Sequence, residues 1–427
     1  MKEKSNRDFL RNVIALMTGT TVAQAIPIAI SPLLTRMYTP AEFGVFSLFL
    51  AITSVVGVIA NGCYEQAIML PEDDDDALNL TAVGLLINVL IAFLLLLIVL
   101  FFNHNIASAL GNPDIAVWLF LTPLSILLIG FNNLLIGFNS RKKNFSDIAK
   151  SGVFKSIIQS IIQVVAGFFH TGVGGLVLGQ IISWGSSNTQ LFRNTLRDKD
   201  LKKAVNFSQM KLNASRYSDF PKYSMLGVLA NSLSINIGSF LIARFFSVSI
   251  LGHYALVHRT MTVPANLISK SVAQVFYEQA ARERRRNGNA IKVFISTFKK
   301  LFLLSICIFS VAFFVVEDVF AFVFGESWRV AGIYAQIMTP LFAIRFVVSP
   351  LSVINQLMLK NKVTMVVNFS LLIISVSVFV SSDIFSLDFN NTLKVLSLSL
   401  SVFYLSFFVM LFYDVINDKG ESDVSKT

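Results

Sequence analysis

Four basic side chains, Lys155, Arg259, Lys270 and Arg345, lie inside long apolar runs of this 427-residue chain. Arginine offers a planar fork of N–H donors that matches phosphate oxygens, and lysine a mobile point charge. An isolated charge at the centre of a bilayer costs about 3 kcal/mol or more. Each of these groups therefore needs an anion, a partner or water. At about 100° per residue, Arg259, Thr262, Asn266, Lys270 and Tyr277 share one helix face, with Val263 as its apolar exception. Arg345, Ser349, Ser352 and Gln356 recur at +4, +7 and +11 on a second face. Lys155, Gln159 and Gln163 form a third, and Thr20, Gln24, Ser31 and Thr35 a fourth. Ser54, Asn61 and Glu65 make a fifth.

Polar groups aimed at lipid are penalised, so these faces are expected to meet one another or to line a hydrated cavity. Hydrogen bonds between helices account for most of the Ser, Thr, Asn and Gln residues. A set of buried charges that is almost wholly basic asks for an anionic cargo instead. Arg259, Lys270, Arg345 and Lys155 are the expected cargo-binding cations, although Lys155 lies near enough to a span end to snorkel. Gln24, Asn61, Gln159, Asn266 and Gln356 form the expected supporting polar face.

Covalent chemistry has no such footing. No nucleophile stands at a catalytic spacing from a base. His104, His170, His253 and His258 are scattered and lack metal-ligand spacing. The glycines of Gly172-Val-Gly-Gly lack the lysine of a phosphate loop. Cys63 and Cys307 both sit in apolar runs and read as small buried hydrophobes, not as a disulfide framework. The expectation is a non-enzyme with no metal or cofactor. A sodium or proton coupling ion is left open, because no mid-membrane acid stands out. Glu65 and Glu278, near inner span ends, are expected to pair with loop arginines.

The elements that must position these residues are apolar helices. Charged residues are 14% of the chain, against about 25% in a soluble domain, and Val83 to Phe102 carries nothing ionisable over bilayer-spanning length. About twelve spans follow, near 12–35, 43–70, 78–102, 116–139, 149–170 and 173–192, then 222–245, 250–277, 294–316, 329–357, 362–382 and 391–414. The Ala23-Gln24-Ala25 triplet resembles a leader cleavage site, but the apolar run continues to Thr35, so the segment is expected to remain as the first span. Six of the ten prolines (Pro27, Pro32, Pro123, Pro264, Pro340 and Pro350) fall inside spans, where each is a candidate bend.

Six spans per half agrees with an internal repeat. Arg36, Gly44 and Phe46 recur as Arg244, Gly252 and Tyr254, and Tyr64-Glu65-Gln66-Ala67 recurs as Tyr277-Glu278-Gln279-Ala280. The expected fold is an all-α integral membrane protein. Its helices, about 12 in number, form two six-helix bundles, 1–205 and 206–427, as a parallel repeat around a central cavity.

Inside segments hold 27 of the 35 Lys and Arg residues, and outside ones only Arg36, Arg244, Arg329 and Lys394. That bias puts both termini in the cytoplasm and makes the net charge of +10 a topology signal, with no nucleic-acid partner implied. Arg282, Arg284, Arg285 and Arg286 suit membrane lipid headgroups or retention. The acidic run Glu72 to Asp76 reads as a solvated loop or a lateral protein contact. The connection near 194–221 places Leu201, Val205, Met210 and Leu212 among Lys202, Lys203 and Lys211, which fits either a helix on the membrane surface or a plain basic linker. Outside loops are too short for a catalytic domain.

The run Pro32-Leu-Leu-Thr-Arg-Met-Tyr-Thr-Pro-Ala-Glu-Phe-Gly44, then Tyr64-Glu-Gln-Ala-Ile68, Leu70-Pro-Glu-Asp-Asp74 and Ala77-Leu-Asn-Leu80, resembles the start of bacterial polysaccharide flippases. These are the O-antigen translocases of the multidrug/oligosaccharidyl-lipid/polysaccharide exporter superfamily. The resemblance in detail covers about the first eighty residues. It implies movement of an undecaprenyl-diphosphate-linked oligosaccharide from the cytoplasmic to the periplasmic leaflet of the bacterial inner membrane, in lipopolysaccharide or related surface-polysaccharide biosynthesis. It also implies a cationic lumen, onto which the four basic residues map by position, and polysaccharide assembly proteins as partners. A drug or organic-cation antiporter of the same superfamily should carry mid-span acids. A membrane-embedded glycan polymerase or ligase should carry a large outside loop.

Overall fold

Thr39-Pro40-Ala41-Glu42 shows how the helices of this chain begin. The Thr39 hydroxyl accepts from the Glu42 amide at 3.3 Å, the Glu42 carboxylate accepts from the Thr39 amide at 2.6 Å, and Pro40 opens the helix. This is a capping box with proline where no backbone donor is needed. The computed structural model describes the backbone of residues 2–195 and 205–417, and the helices there are α1 Lys2–Met37, α2 Pro40–Gly57, α3 Tyr64–Ala67, α4 Asp74–Ala109, α5 Ile115–Leu119, α6 Thr122–Arg141, α7 Phe145–Phe168 and α8 Val173–Thr195. Then come α9 Phe207–Arg216, α10 Met225–Phe245, α11 Val248–Val257, α12 Val263–Asn287, α13 Ile291–Phe324, α14 Arg329–Leu351, α15 Ile354–Leu357, α16 Asn361–Ile384 and α17 Phe389–Ile416. Five-residue π-turns, Phe220–Ser224 and His258–Thr262, lead into α10 and α12. No strand occurs among the described residues.

Ten helices among the described residues are long and apolar enough to cross a membrane. Two of the twelve expected spans, α8 and the α11–α12 segment, are helical but fall outside that set. Their polarity explains this. Ser183, Ser187 and Asn188 of α8 are buried, and Asn132 on α6 donates to Ser187 Oγ at 2.9 Å and to Asn188 Oδ1 at 2.8 Å. The overall distribution is the reverse of a soluble protein's. On α4 the apolar Leu86, Phe93 and Phe101 are exposed while Asn79 and Asn88 are buried, as expected where the solvent is hydrocarbon.

The chain divides into two compact units, Met1–Gly252 and His253–Thr427. In the first unit α1, α7 and α8 pack side by side. Ala149 presses on Gly19, the Ser156 hydroxyl donates to the Ala23 carbonyl at 2.7 Å, and the Tyr38 hydroxyl donates to the Gln163 carbonyl at 2.6 Å. Gln163 in turn donates to the Leu176 carbonyl at 3.0 Å, which makes it interhelical glue. The Phe220–Phe245 span packs against α2 and so belongs with this unit. In the second unit α14 lies between α13 and α17, over a core that includes Phe294, Phe346 and Phe407.

The glycines of the internal repeat touch. A Cβ on Gly44 would strike the Val248 carbonyl, and one on Gly252 would strike the Pro40 carbonyl. Residues 40 and 248, like 44 and 252, are 208 apart, so the contact is reciprocal, as at a two-fold axis. Neither position has room for a side chain.

Two expectations are corrected. The span near 43–70 is no continuous helix, because α2 stops at Gly57 and the chain turns through Gly62 and Cys63, both at positive φ (59° and 60°). The left-handed pair then separates α2 from α3. Cys63 is buried, but Cys307 is exposed on α13, on a helix surface that faces outward with Phe302 and Phe314. The acidic run is exposed from Glu72 to Asp75, as a solvated segment would be, but Asp74 is also tied down. Asp74 pairs with Arg141 at 2.7 Å and Lys142 at 2.6 Å, and Arg141 also donates to the Pro71 and Glu72 carbonyls. Arg141→Lys cannot reproduce that fork, so the 68–74 segment should become several-fold more sensitive to limited proteolysis. Unchanged cleavage would show that the clamp is decorative.

Part of the basic connection is a helix, α9, and its apolar face packs on neighbouring helices. There Met210, Ala214 and Tyr217 pack on Tyr64, Leu80 and Val83, while Phe207 and Leu212 are exposed. Asp76 accepts from Asn213 at 2.9 Å. Leu201, Lys202 and Lys203 lie outside the described residues.

Candidate functional site

Arg259 sits in the π-turn His258–Thr262, immediately before Pro264. A π-turn fits one extra residue into a helical turn, a rearrangement that recurs at functional sites. It breaks the uniform stripe read from the sequence. Thr262 is buried, Arg259 and Asn266 are half-buried, and Lys270 and Tyr277 are exposed. The π-turn packs against α14, the helix that carries Arg345. Arg345 is half-buried and close enough to act electrostatically on both His258 and Tyr254. The second unit thus gathers Arg345, the π-turn with Arg259, and His258, while Lys270 is exposed on α12.

The second stripe is also cut. α14 ends at Leu351, the Ser352 hydroxyl donates to the Ser349 carbonyl at 2.7 Å, and Gln356 lies on the separate α15 and is exposed. The buried amide is its neighbour Asn355, whose Oδ1 and Nδ2 have no partner among the described residues. Sequence periodicity could not single out Asn355, because only the break after Leu351 rotates it inward.

In the first unit the Lys155 ammonium stands over the Trp184 ring, 2.9 Å from its centroid. A desolvated cation–π contact of this type is worth about 2 kcal/mol, so Lys155 has an aromatic partner on α8. Gln24 and Gln159 are half-buried on α1 and α7. Asn61 is buried and donates to the Gly130 carbonyl at 3.0 Å. Glu278 pairs with Arg282 at 2.7 Å as expected, but Glu65 has no ion pair among the described residues and its Oε2 is buried without a hydrogen-bond partner.

A cavity of about 1190 Å³ opens within the first unit between α1, α7 and α8. Its walls are partly apolar, with Phe154 and Ile157, and its polar groups include Thr18, Lys150, Gln190 and Arg193. The Gln190 Oε1 is buried and unpartnered among the described residues. Lys150 is held only loosely, 4.0 Å from an exposed Asp147 carboxylate. Such a space suits an amphiphile with an anionic head. Lys150 and Arg193 register in the sequence only as topology charges. The signal that could have found them is their position at the ends of two helices that pack together.

The family described as polysaccharide biosynthesis protein matches residues 33–332. The succinoglycan biosynthesis transport protein ExoT of Rhizobium meliloti (strain 1021) is 22% identical over 325 residues, which are 75% of this chain and 63% of that protein. The teichuronic acid biosynthesis protein TuaB of Bacillus subtilis (strain 168) is 21% identical over 292 residues, 66% of this chain and 58% of its own length. The matched stretches therefore span less than two thirds of either relative. Among solved structures, the inward-facing conformation of a multidrug resistance MATE family transporter of the MOP superfamily superposes with a TM-score of 0.71 at 13% identity, over 95% of this chain and 96% of that one. The lipid II flippase MurJ in an inward closed conformation gives 0.67 at 15%, over 94% and 90%. The fold is that of these transporters.

Proposed function

Because the chain belongs to the polysaccharide biosynthesis protein family, we propose that it moves a lipid-diphosphate-linked oligosaccharide, an O-antigen or similar surface-polysaccharide unit, across the bacterial inner membrane from the cytoplasmic to the periplasmic leaflet. The observation that carries this reading is the gathering of half-buried basic groups, Arg345 with the Arg259 π-turn, in a protein whose surface is apolar. A diphosphate supplies the anion such groups need, and the lipid tail has no reason to leave the bilayer. No bond is made or broken, so no catalytic residue is required. Both termini lie in the cytoplasm under this reading, as the basic bias of the inner segments supports. Polysaccharide assembly proteins receive the cargo.

The cavity of the first unit serves the same cargo through Lys150 and Arg193. Replacing both by glutamine should lower transport about tenfold, in line with one charge-assisted pair of about 1.5–3 kcal/mol, at unchanged protein level. Full transport by that variant would remove the cavity from the path. Pro264 follows the π-turn that carries Arg259, at the start of α12, and rocking between inner and outer access uses that junction. Pro264→Ala restores a backbone donor and should slow transport while leaving folded protein in the membrane. Export of an organic cation, the rival for this fold, would have to bring positive charge towards Arg345 and Arg259, and unaltered drug sensitivity on deletion would argue against it.

A further inference from the structure

We infer that Trp184 holds the Lys155 ammonium while the first unit is empty and gives it up to the diphosphate of a lipid-linked cargo. The diphosphate is taken from the transport reading above, whereas the held lysine is present in the structure. The ammonium lies 2.9 Å from the centre of the Trp184 ring, and both residues are half-buried. A ring face attracts a cation through its quadrupole but has no oxygen to accept a hydrogen bond. A lysine ammonium has three N–H donors, and none of them meets an acceptor among the described residues. A long side chain can carry its charge to a span end, but the Lys155 stem runs to Trp184 instead.

No carboxylate is placed to replace the ring. α8 carries no acid, and Leu16 to Met37 of α1 carries none. The one acid of α7, Asp147, stands two turns nearer the start of the helix, beside Lys150. The positive charge of Lys155 is therefore held and not neutralised. An anion that reaches it finds a full charge and free donors.

The backbone around the pair is fixed, so the side chain is what changes partners. Before Lys155 in the chain, Ala149 presses on Gly19, and just after it the Ser156 hydroxyl donates to the Ala23 carbonyl at 2.7 Å. Further along, Gln163 donates to the Leu176 carbonyl at 3.0 Å, and a Cβ on Gly179 would meet Gln163 Cγ at 2.6 Å. α7 is thus pinned to α1 and α8, while the flexible lysine stem keeps its rotamers. Gln159, one turn on along α7, is half-buried and makes no hydrogen bond among the described residues, so its amide is a second free donor. Phosphate oxygens supply the acceptors that the ring lacks. A desolvated cation–π contact and a charge-assisted hydrogen bond are of similar strength, which lets a carrier bind its cargo and release it.

The test uses the purified full chain in detergent, with farnesyl diphosphate as the probe and farnesol and phosphatidylglycerol as comparisons. Binding is followed by calorimetry and by tryptophan emission. The probe should change the emission of the wild-type protein, and Lys155→Gln should lose that change and bind more weakly. Trp184→Leu removes the ring that competes for the ammonium, so the probe should bind it more tightly, by up to about tenfold. The same variant should lose several degrees of Tm without the probe. Trp184→Phe keeps a weaker ring face and should fall between the two, which gives the answer if the leucine variant folds poorly. A ring that only packs the helices would leave the affinity unchanged on replacement, and a ring that contacts the cargo would lower it. Either result would overturn the exchange, as would wild-type binding by Lys155→Gln or an equal response to farnesol or phosphatidylglycerol. Failure here with glycan transport intact in vesicles would count against the pair alone. Binding as expected with no glycan transport would count against the transport reading alone.

Discussion

Arg345→Glu should reduce surface-polysaccharide assembly by at least about 100-fold while leaving the protein folded and inserted. Two unit charges about 6 Å apart at an effective dielectric near 20 interact by about 3 kcal/mol. Reversal turns that attraction for a phosphate into a repulsion of similar size, a difference well beyond two powers of ten. Insertion should survive, because Arg345 is half-buried on a helix whose apolar neighbours Phe346, Val347 and Val348 make the packing contacts. The new carboxylate also gains a neighbour in His258, which already feels the charge at this position. Arg345→Lys keeps the charge and loses the fork, so partial export is expected. The readout is polymer on the cell surface, normalised to the amount of protein in the membrane fraction. Wild-type polymer from Arg345→Glu would remove Arg345 from the cargo path.

Gly252→Val should prevent accumulation of stable protein. Its side chain would meet the Pro40 carbonyl, a backbone atom that cannot turn away. Overpacking of this kind costs about 3 kcal/mol, at the upper end of its range, and that is a large share of the total stability of a domain. Gly44→Val should do equal damage through Val248, because the contact is reciprocal. The two lesions break one crossing, so the double variant should be less damaging than the sum. Gly227→Ala is the control, since nothing lies within 4 Å of a Cβ there. A Gly252→Val protein with wild-type Tm would mean that α2 and α11 separate freely.

The glycine crossing also shows what a single sequence makes legible. Gly44 and Gly252 stand out as a spaced pair repeated at 208 residues, and the reason for the spacing is the close approach of α2 and α11. Hydropathy placed the spans because lipid exposure needs only apolar composition, and α4 with its outward Leu86 and Phe101 is the plainest case. Gln163 was read as a polar side chain on an apolar helix, and it does bind a neighbouring helix.

The misses have one physical origin. The stripes assumed a constant 3.6 residues per turn, and the backbone departs from that period at the places where the chemistry lies. The π-turn at His258–Thr262 shifts everything after Arg259, so Lys270 comes out exposed. The end of α14 at Leu351 exchanges Gln356 for Asn355. The left-handed pair Gly62–Cys63 interrupts a run whose hydropathy is unbroken, and it leaves Glu65 with amides in place of the expected arginine. A change of helical register alters no residue type and leaves no mark in composition. Arg141 was hidden differently, because a basic residue counted towards topology can equally tie a loop through carbonyls 70 residues away in the chain.

Transport itself is the measurement that reaches the central claim most directly. Purified protein is placed in lipid vesicles with a fluorescent lipid-diphosphate-linked oligosaccharide in the outer leaflet, and protection of the label from a membrane-impermeant quencher is followed in time. The account predicts that protection grows with wild-type protein, is absent from empty vesicles, and is lost with Arg345→Glu. Protection that develops no faster than in empty vesicles, or as fast with Arg345→Glu as with wild type, would contradict it.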